Sequence, residues 1–266
     1  FRPSMNPLSE SIFVGSQVGI FGTITIFRTE GAFVPVYHSP RYFDYTTTDP
    51  NVAVVQDGAV TAVGPGTARV TATIEDVQDP ESFIEVLGSI DVTAFAPPTV
   101  GALPPPYPAE DVISMFSDVY NDVLVDTWRA NWGNVTTQLT EYVVAGDNTK
   151  MYSSLNYVGV EFFTVPIDAS AMTHFHLDVY VPGGTEFKFF LVSFPGGGSD
   201  GYPTNVFALD ADSTPAFAAG QWVSLDIPLA DLQPETPEFD WSSLSQLVFE
   251  SADARLVLVD NVYFRK

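Results

Sequence analysis

Thr173-His174-Phe175-His176-Leu177-Asp178-Val179-Tyr180 alternates apolar and polar side chains without a break. A period of two is the pattern of a strand with one face in a core. Phe175, Leu177 and Val179 fall on one face; His174, His176, Asp178 and Tyr180 fall on the other. Val181-Pro182-Gly183-Gly184 ends the run. Further β-rich runs follow at 186–193, ended by Pro195-Gly196-Gly197-Gly198, and at 221–227, bounded by Gly220 and Pro228; runs at 247–250 and 255–264 close the domain. Residues 109–116 and 229–232 read as short helical turns. About eight short antiparallel strands of this kind predict a jelly-roll sandwich.

Upstream of that region lies Ala96-Pro97-Pro98-Thr99-Val100-Gly101-Ala102-Leu103-Pro104-Pro105-Pro106-Tyr107-Pro108, with six prolines. Such a segment disrupts ladders and helices and favours an extended, semi-rigid form. The sequence therefore divides into a first domain over 1–96, a Pro-rich linker over 97–108 and a second domain over 109–266. The first domain also reads as β. Gln56-Asp57-Gly58 is a hairpin turn between two apolar runs, and Gly64-Pro65-Gly66 turns into the alternating stretch Thr67-Ala68-Arg69-Val70-Thr71-Ala72-Thr73-Ile74. Short strands at regular spacing predict an antiparallel sandwich. The predicted fold class is all-β: an Ig-like sandwich followed by a jelly roll.

Composition narrows the function. The 266 residues carry a formal net charge of -23, with only ten Lys and Arg against 33 Asp and Glu, so a polyanionic partner is disfavoured. Nucleic-acid binding needs clustered cations, which are missing here. Anionic membrane surfaces and anionic polysaccharides are disfavoured for the same reason. The absence of cysteine excludes disulfides, Cys-based zinc sites and thiol nucleophiles. No apolar run reaches the roughly 18 residues of a membrane-spanning helix. The start at Phe1-Arg2-Pro3-Ser4 reads as that of a mature or truncated chain, so any lipid anchor is expected outside it.

Aromatics are abundant, and their faces are the natural partners of the apolar face of a pyranose ring. Trp128-Arg129-Ala130-Asn131-Trp132-Gly133-Asn134 is the best such cluster, because it sits in a polar, turn-rich stretch. Tyr157, next to Asn156, extends that candidate platform, although a strand aromatic packed on a sheet is an equal reading. Trp222 and Trp241 read as structural. His174 and His176 share a strand face with Asp178 and Tyr180; they read as a polar outer face or as the floor of a sugar-binding groove. A third ligand for a metal site at the His-x-His pair is not evident. No Gly-x-Ser-x-Gly, His-Glu-x-x-His or P-loop motif is present, and no carboxylate pair stands out.

Two resemblances complete the reading. Thr47-Thr48-Asp49-Pro50-Asn51-Val52-Ala53-Val54-Val55, followed by Asp57-Gly58-Ala59-Val60-Thr61-Ala62-Val63-Gly64-Pro65-Gly66-Thr67-Ala68-Arg69-Val70-Thr71-Ala72, resembles the bacterial Ig-like group 2 domain. That implies a spacer or stalk, with the aromatic-rich residues 28–45 as an insertion. In the second domain, Asp111-Val112-Ile113-Ser114-Met115-Phe116-Ser117-Asp118, Asn131-Trp132-Gly133, Leu155-Asn156-Tyr157, Met172 to Val179, Gly220 to Leu229 and Val259-Asp260-Asn261-Val262-Tyr263-Phe264 recur in order. They resemble carbohydrate-binding modules of marine Bacteroidetes laminarinases and surface glycan-binding proteins. The resemblance implies a secreted or outer-membrane-surface bacterial protein, monomeric, that binds a laminarin-type β-glucan without catalysis. Glycan-uptake proteins would be its partners. It also implies one structural Ca2+, with Asp118 and Asp260 as candidate ligands. The expected ligand-binding residues are Trp128, Asn131, Trp132, Asn156, Tyr157, His174 and His176. A small jelly-roll lyase or hydrolase, and a purely structural adhesin or stalk, are the alternatives.

Overall fold

The computed structural model describes residues 3–76 and 79–266. It is all β apart from short 3-10 turns, and it divides into a unit over Phe1–Pro97 and a unit over Pro98–Lys266.

In the first unit, Leu8–Phe13 runs parallel to Ile90–Phe95, which pairs with Gly66–Asp76, which pairs with Asp44–Thr47. Asp79–Glu85 also pairs with Gly66–Asp76. A second sheet holds Gln17–Gly19, Ala59–Ala62 and Ala53–Gln56. Small apolar side chains, among them Val60, Val70, Ile90 and Val92, fill the core. The predicted turn is present: Asp57 and Gly58 both have positive φ, as a tight two-residue hairpin demands. Ile24–Thr29 and Ala32–Tyr37 pair as a separate two-stranded hairpin, which overlaps the aromatic-rich residues 28–45 only in part.

The second unit is a sandwich of two sheets. One runs Gln138–Val144, Asp147–Ser153, Leu256–Arg265, His174–Tyr180, Trp222–Pro228, with Val112–Phe116 also on Leu256–Arg265. The other runs Tyr157–Glu161, Leu244–Glu250, Phe187–Ser193, Tyr202–Pro203, with Phe207–Leu209 also on Phe187–Ser193. Phe175, Leu177 and Val179 enter the core as their alternation predicts. They meet Phe189, Leu247, Phe249 and Phe264 there. Each such fully buried side chain contributes roughly 1.5–3 kcal/mol relative to an exposed one.

Two expectations are corrected. The predicted helical turn over 109–116 is a 3-10 turn at Ala109–Asp111 and then a strand, Val112–Phe116. Pairing with Leu256–Arg265 overrides the local preference of those residues. The Pro-rich segment is more than a spacer, since its residues from Pro98 onward belong to the second unit. It straps the outer face of the six-stranded sheet. Trp222 Nε1 donates to the Val100 carbonyl at 2.9 Å, and Asn261 Nδ2 donates to the Leu103 carbonyl at 3.2 Å. Tyr120 Oη donates to the Tyr107 carbonyl at 2.8 Å, and the Arg265 guanidinium lies 4.5 Å from the centre of the Tyr107 ring. Prolines offer carbonyls without amide protons, so side chains rather than a strand ladder hold the segment down.

Candidate functional site

In Tyr157–Glu161 the side chains of Val158 and Val160 are fully buried, so Tyr157, Gly159 and Glu161 face outward. Their cross-strand partners make three rows on the outer face of the five-stranded sheet. Tyr157 leads to Glu250 and Lys188, Gly159 to Val248 and Phe190, and Glu161 to Gln246 and Val192. The middle row has a gap where Gly159 has no side chain, and the Trp132 indole occupies it. A Cβ placed on Gly159 would stand 2.3 Å from the Trp132 ring.

The indole is held through its ring nitrogen. Its Nε1 donates to Glu161 Oε1 at 2.9 Å, and Gln246 Nε2 reaches the same oxygen at 3.4 Å. Beside it, the Tyr157 ring lies 6.3 Å away, centre to centre, with the planes 27° apart. At that offset the two rings form a shallow aromatic strip rather than a sandwich. The loop that delivers Trp132 is fastened to the sheet. Ala130 N donates to the Gly159 carbonyl at 2.8 Å, and Tyr157 Oη donates to the Gly133 carbonyl. Asn134 takes a positive φ of 64° to turn the chain.

Asn156 is the clamp of this loop. Its Oδ1 accepts from Thr136 N and Thr137 Oγ1, and its Nδ2 donates to the Asn134 carbonyl. Both ends of its amide are therefore engaged within the protein. Asn131 is exposed at the loop surface.

Trp128 goes elsewhere. Its ring packs edge-on against Phe116 at 5.7 Å and against the core, and Lys150 Nζ stands 5.3 Å from it. Its carbonyl accepts from the buried Tyr152 hydroxyl. Three residues separate two tryptophans with different surroundings, one at the core and one on the sheet surface.

The expected ligand set is thus not one cluster. Trp132, Asn156 and Tyr157 gather at the edge strand of one sheet; His174 and His176 stand on the outer face of the other. His174 Nδ1 shares a hydrogen bond with Thr173 Oγ1. His176 is buried, because the Pro-rich strap covers a face that the alternation alone leaves open to water.

Asp118 and Asp260 were expected to share a cation. Asp260 is buried, and its partner in space is Asp147, with which it is within hydrogen-bonding reach. Asp147 Oδ2 and Asp260 Oδ2 are both buried with no donor. Burial, then the neighbouring Asp147 charge, pushes the Asp260 carboxyl up to about 8; burial likewise raises Asp147. Asp118 is exposed and accepts from Asn148 N and Nδ2, while its charge still acts on Asp147. Among the described residues, no three acidic or histidine side chains already stand at metal-ligand spacing. The donor set nonetheless suits Ca2+, which takes hard oxygens, and two orphaned carboxylate oxygens facing one another need a proton or a cation between them.

Sequence reading missed Gly159, Glu161, Gln246 and Asp147. A glycine inside the Tyr157-Val158-Gly159-Val160-Glu161 strand is itself a signal of close approach. Asp147 sits in a hairpin far from Asp260 along the chain, and no spacing connects them.

No family model matches the chain, and no curated protein matches it. Solved structures do. A family 30 carbohydrate-binding module of a Clostridium thermocellum cellulosomal cellulase is 16% identical, with TM-score 0.43 over 58% of this chain and 97% of that one. A family 11 carbohydrate-binding module from the same organism, in complex with a β-1,3-1,4-mixed-linked tetrasaccharide, is 15% identical, with TM-score 0.37 over 49% and 84%. A carbohydrate-binding module specific for non-crystalline cellulose is 18% identical, with TM-score 0.40 over 52% and 86%.

Proposed function

We propose that this protein binds a neutral extracellular polysaccharide on the outer face of its five-stranded sheet and makes or breaks no bond in it. The observation that carries the reading is the Trp132–Tyr157 strip lying over Gly159, with Glu161 and Gln246 at its edge. A pyranose ring stacks its C–H face on such a strip, and vicinal hydroxyls hydrogen-bond the flanking carboxylate and amide. One strip of this size supports micromolar to millimolar affinity, about -8 to -4 kcal/mol.

Neutral ligands are favoured by the charge on this face. Glu161 and Glu250 are acidic, and Lys188 is already paired with Glu186 at 2.7 Å. A uronate would meet uncompensated carboxylates. A laminarin-type β-1,3-glucan is the ligand proposed first, with mixed-linkage glucan second. The place of action proposed is outside a bacterial cell, with the first unit as spacer. The lyase alternative wanted an open groove at His174, His176 and Tyr180; His176 and Tyr180 are buried.

A structural Ca2+ belongs to the same proposal. Asp147 and Asp260 would hold it, with Asp118 as a third carboxylate, and it would neutralise their repulsion and pin the hairpin that follows Val144 to the closing strand.

Calorimetric titration with laminarin, mixed-linkage glucan and alginate tests the binding. Heat with either glucan and none with alginate is expected. No binding to any neutral glycan removes the proposal, and release of shortened products removes its non-catalytic part.

A further inference from the structure

In the first unit, Ile24–Thr29 and Ala32–Tyr37 form a two-stranded sheet of their own. Its base is rooted. Ser4 and Ile24 exchange two backbone hydrogen bonds, at 2.7 and 2.8 Å, and His38 N donates to the Thr23 carbonyl at 2.7 Å. Thr25 Oγ1 lies 2.7 Å from His38 Nε2. A hairpin of two strands is marginal in water unless one face is packed.

Side chains alternate along each strand, and cross-strand partners share a face. One face therefore carries three rows: Ile24 with Tyr37, Ile26 with Pro35, and Arg28 with Phe33. The Arg28 guanidinium lies 5.3 Å from the centre of the Phe33 ring, as that register requires. Phe33 is 68%, Tyr37 76% and Ile26 52% exposed. Pro35 and Arg28 are exposed as well. At roughly 150–250 Å² for a whole aromatic side chain, this face offers about 500 Å² of mainly apolar surface. A patch of that size on a soluble protein is among the largest found and is often an interaction site.

Charge and shape select the occupant. Of the 33 acidic residues only Glu30 falls between Gln17 and Phe43, against Arg28 and Arg41. The stretch thus lacks the acidic surplus that would hold two copies of this chain apart. Glu30 stands exposed at the hairpin apex, beside Gly31, so tip-first entry into a bilayer would carry a carboxylate in first. Pro35 has no amide proton, which blunts its strand as an edge for pairing, so a partner meets the face. Two such faces together bury about 1,000 Å², the lower bound of a specific interface. We propose that this face docks on the same face of a second copy of the chain, with a two-fold axis through the Ile26/Pro35 row. A two-fold contact must be self-complementary. Here it sets the tip row of one copy on the base row of the other, so Arg28 meets the Tyr37 ring of the second copy as a cation–π pair. The contact does not depend on the function proposed for the Trp132 strip.

Sedimentation equilibrium of the full chain tests this, at micromolar to millimolar protein and at low and high NaCl. A reversible dimer is expected, tightening at least threefold with salt, because screening relieves repulsion between two acidic chains. Phe33→Asp sets new carboxylates into both faces and should weaken the dimer at least tenfold. Phe33→Ser should weaken it less, and Leu124→Asp, at an exposed apolar position of the second unit, should leave it unchanged. All three positions are solvent-exposed or peripheral to the cores, so the melting transition should be retained. The chain has no cysteine, so single-cysteine variants report the face directly. A short bis-maleimide should link Ile26→Cys chains and link Val34→Cys chains, on the opposite face of the hairpin, at least fivefold less. A monomer at every concentration and salt, a dimer indifferent to Phe33→Asp, or equal linking at both cysteines overturns the proposal. Binding of phosphatidylcholine vesicles through Phe33 without self-association would assign the face to lipid and overturn it as well.

Discussion

The Trp132 indole occupies the space that a side chain on Gly159 would fill, 2.3 Å from where its Cβ would stand. The strand therefore carries a glycine in its middle, at an entropic cost of roughly 0.5–1 kcal/mol relative to alanine, and the return is room for the indole on the sheet surface. Gly159→Val should push the indole off the sheet and break its hydrogen bond to Glu161. Glucan affinity should fall at least about tenfold, or 1.4 kcal/mol, while the core, which lies on the other face of that strand, stays intact. Calorimetry and tryptophan emission, measured together, check this.

The two tryptophans of the loop should separate binding from stability. Trp132→Ala should abolish glucan binding and change unfolding free energy by less than about 1 kcal/mol, as for a surface position. Trp128→Ala should destabilise by about 2 kcal/mol, because it empties a space bordered by Phe116 and the core, and should retain binding. Denaturant unfolding and affinity electrophoresis on both variants decide it.

Much of this was legible in the sequence. Alternation through His174–Tyr180 placed Phe175, Leu177 and Val179 inward, and Asp57-Gly58 marked its turn. What alternation cannot reveal is what lies on the outward face. His176 and Asp178 read as solvent-facing, yet a proline strap from elsewhere in the chain covers them, and proline composition says extended without saying where. Similarly, Trp128 and Trp132 look alike in a polar loop. Only the register of that loop on the Tyr157–Glu161 strand sends one to the core and the other to the surface. Asn156 looked like a sugar-binding amide because nothing local showed that it clamps Thr136, Thr137 and Asn134.

Cation binding should be visible as stability. Saturating Ca2+ at about 100 times its Kd should add about 2.7 kcal/mol, or about 5–10 °C for a chain of this size, and a chelator should reverse it. Asp260→Asn should lose the response and melt higher than the chelated parent, since it removes a buried carboxylate that faces Asp147. Differential scanning calorimetry with and without Ca2+ checks both, and an unresponsive parent would remove the cation.

Acid should act through Asp226. Burial pushes its carboxyl up, but the Arg265 hydrogen bonds and charge, with His176 and His174, outweigh that and hold it below the usual range. A carboxyl with a depressed folded value contributes stability that is complete above its unfolded value of about 3.9. That contribution disappears as pH falls through the lower, folded value. Between pH 7 and 5 this pair should leave the melting temperature unchanged. Below about pH 4 the parent should lose stability that Asp226→Asn has already lost, and the two melting curves should converge. Parallel curves down to pH 2 would contradict it.

The most direct test of the central claim is calorimetric titration of laminarin into the full chain and into Trp132→Ala, at neutral pH with Ca2+ present. Saturable heat with a Kd between micromolar and millimolar in the parent, and none in the variant, is the predicted result. Equal binding by both proteins would place the glycan elsewhere and contradict the assignment of the Trp132–Tyr157 strip as the site.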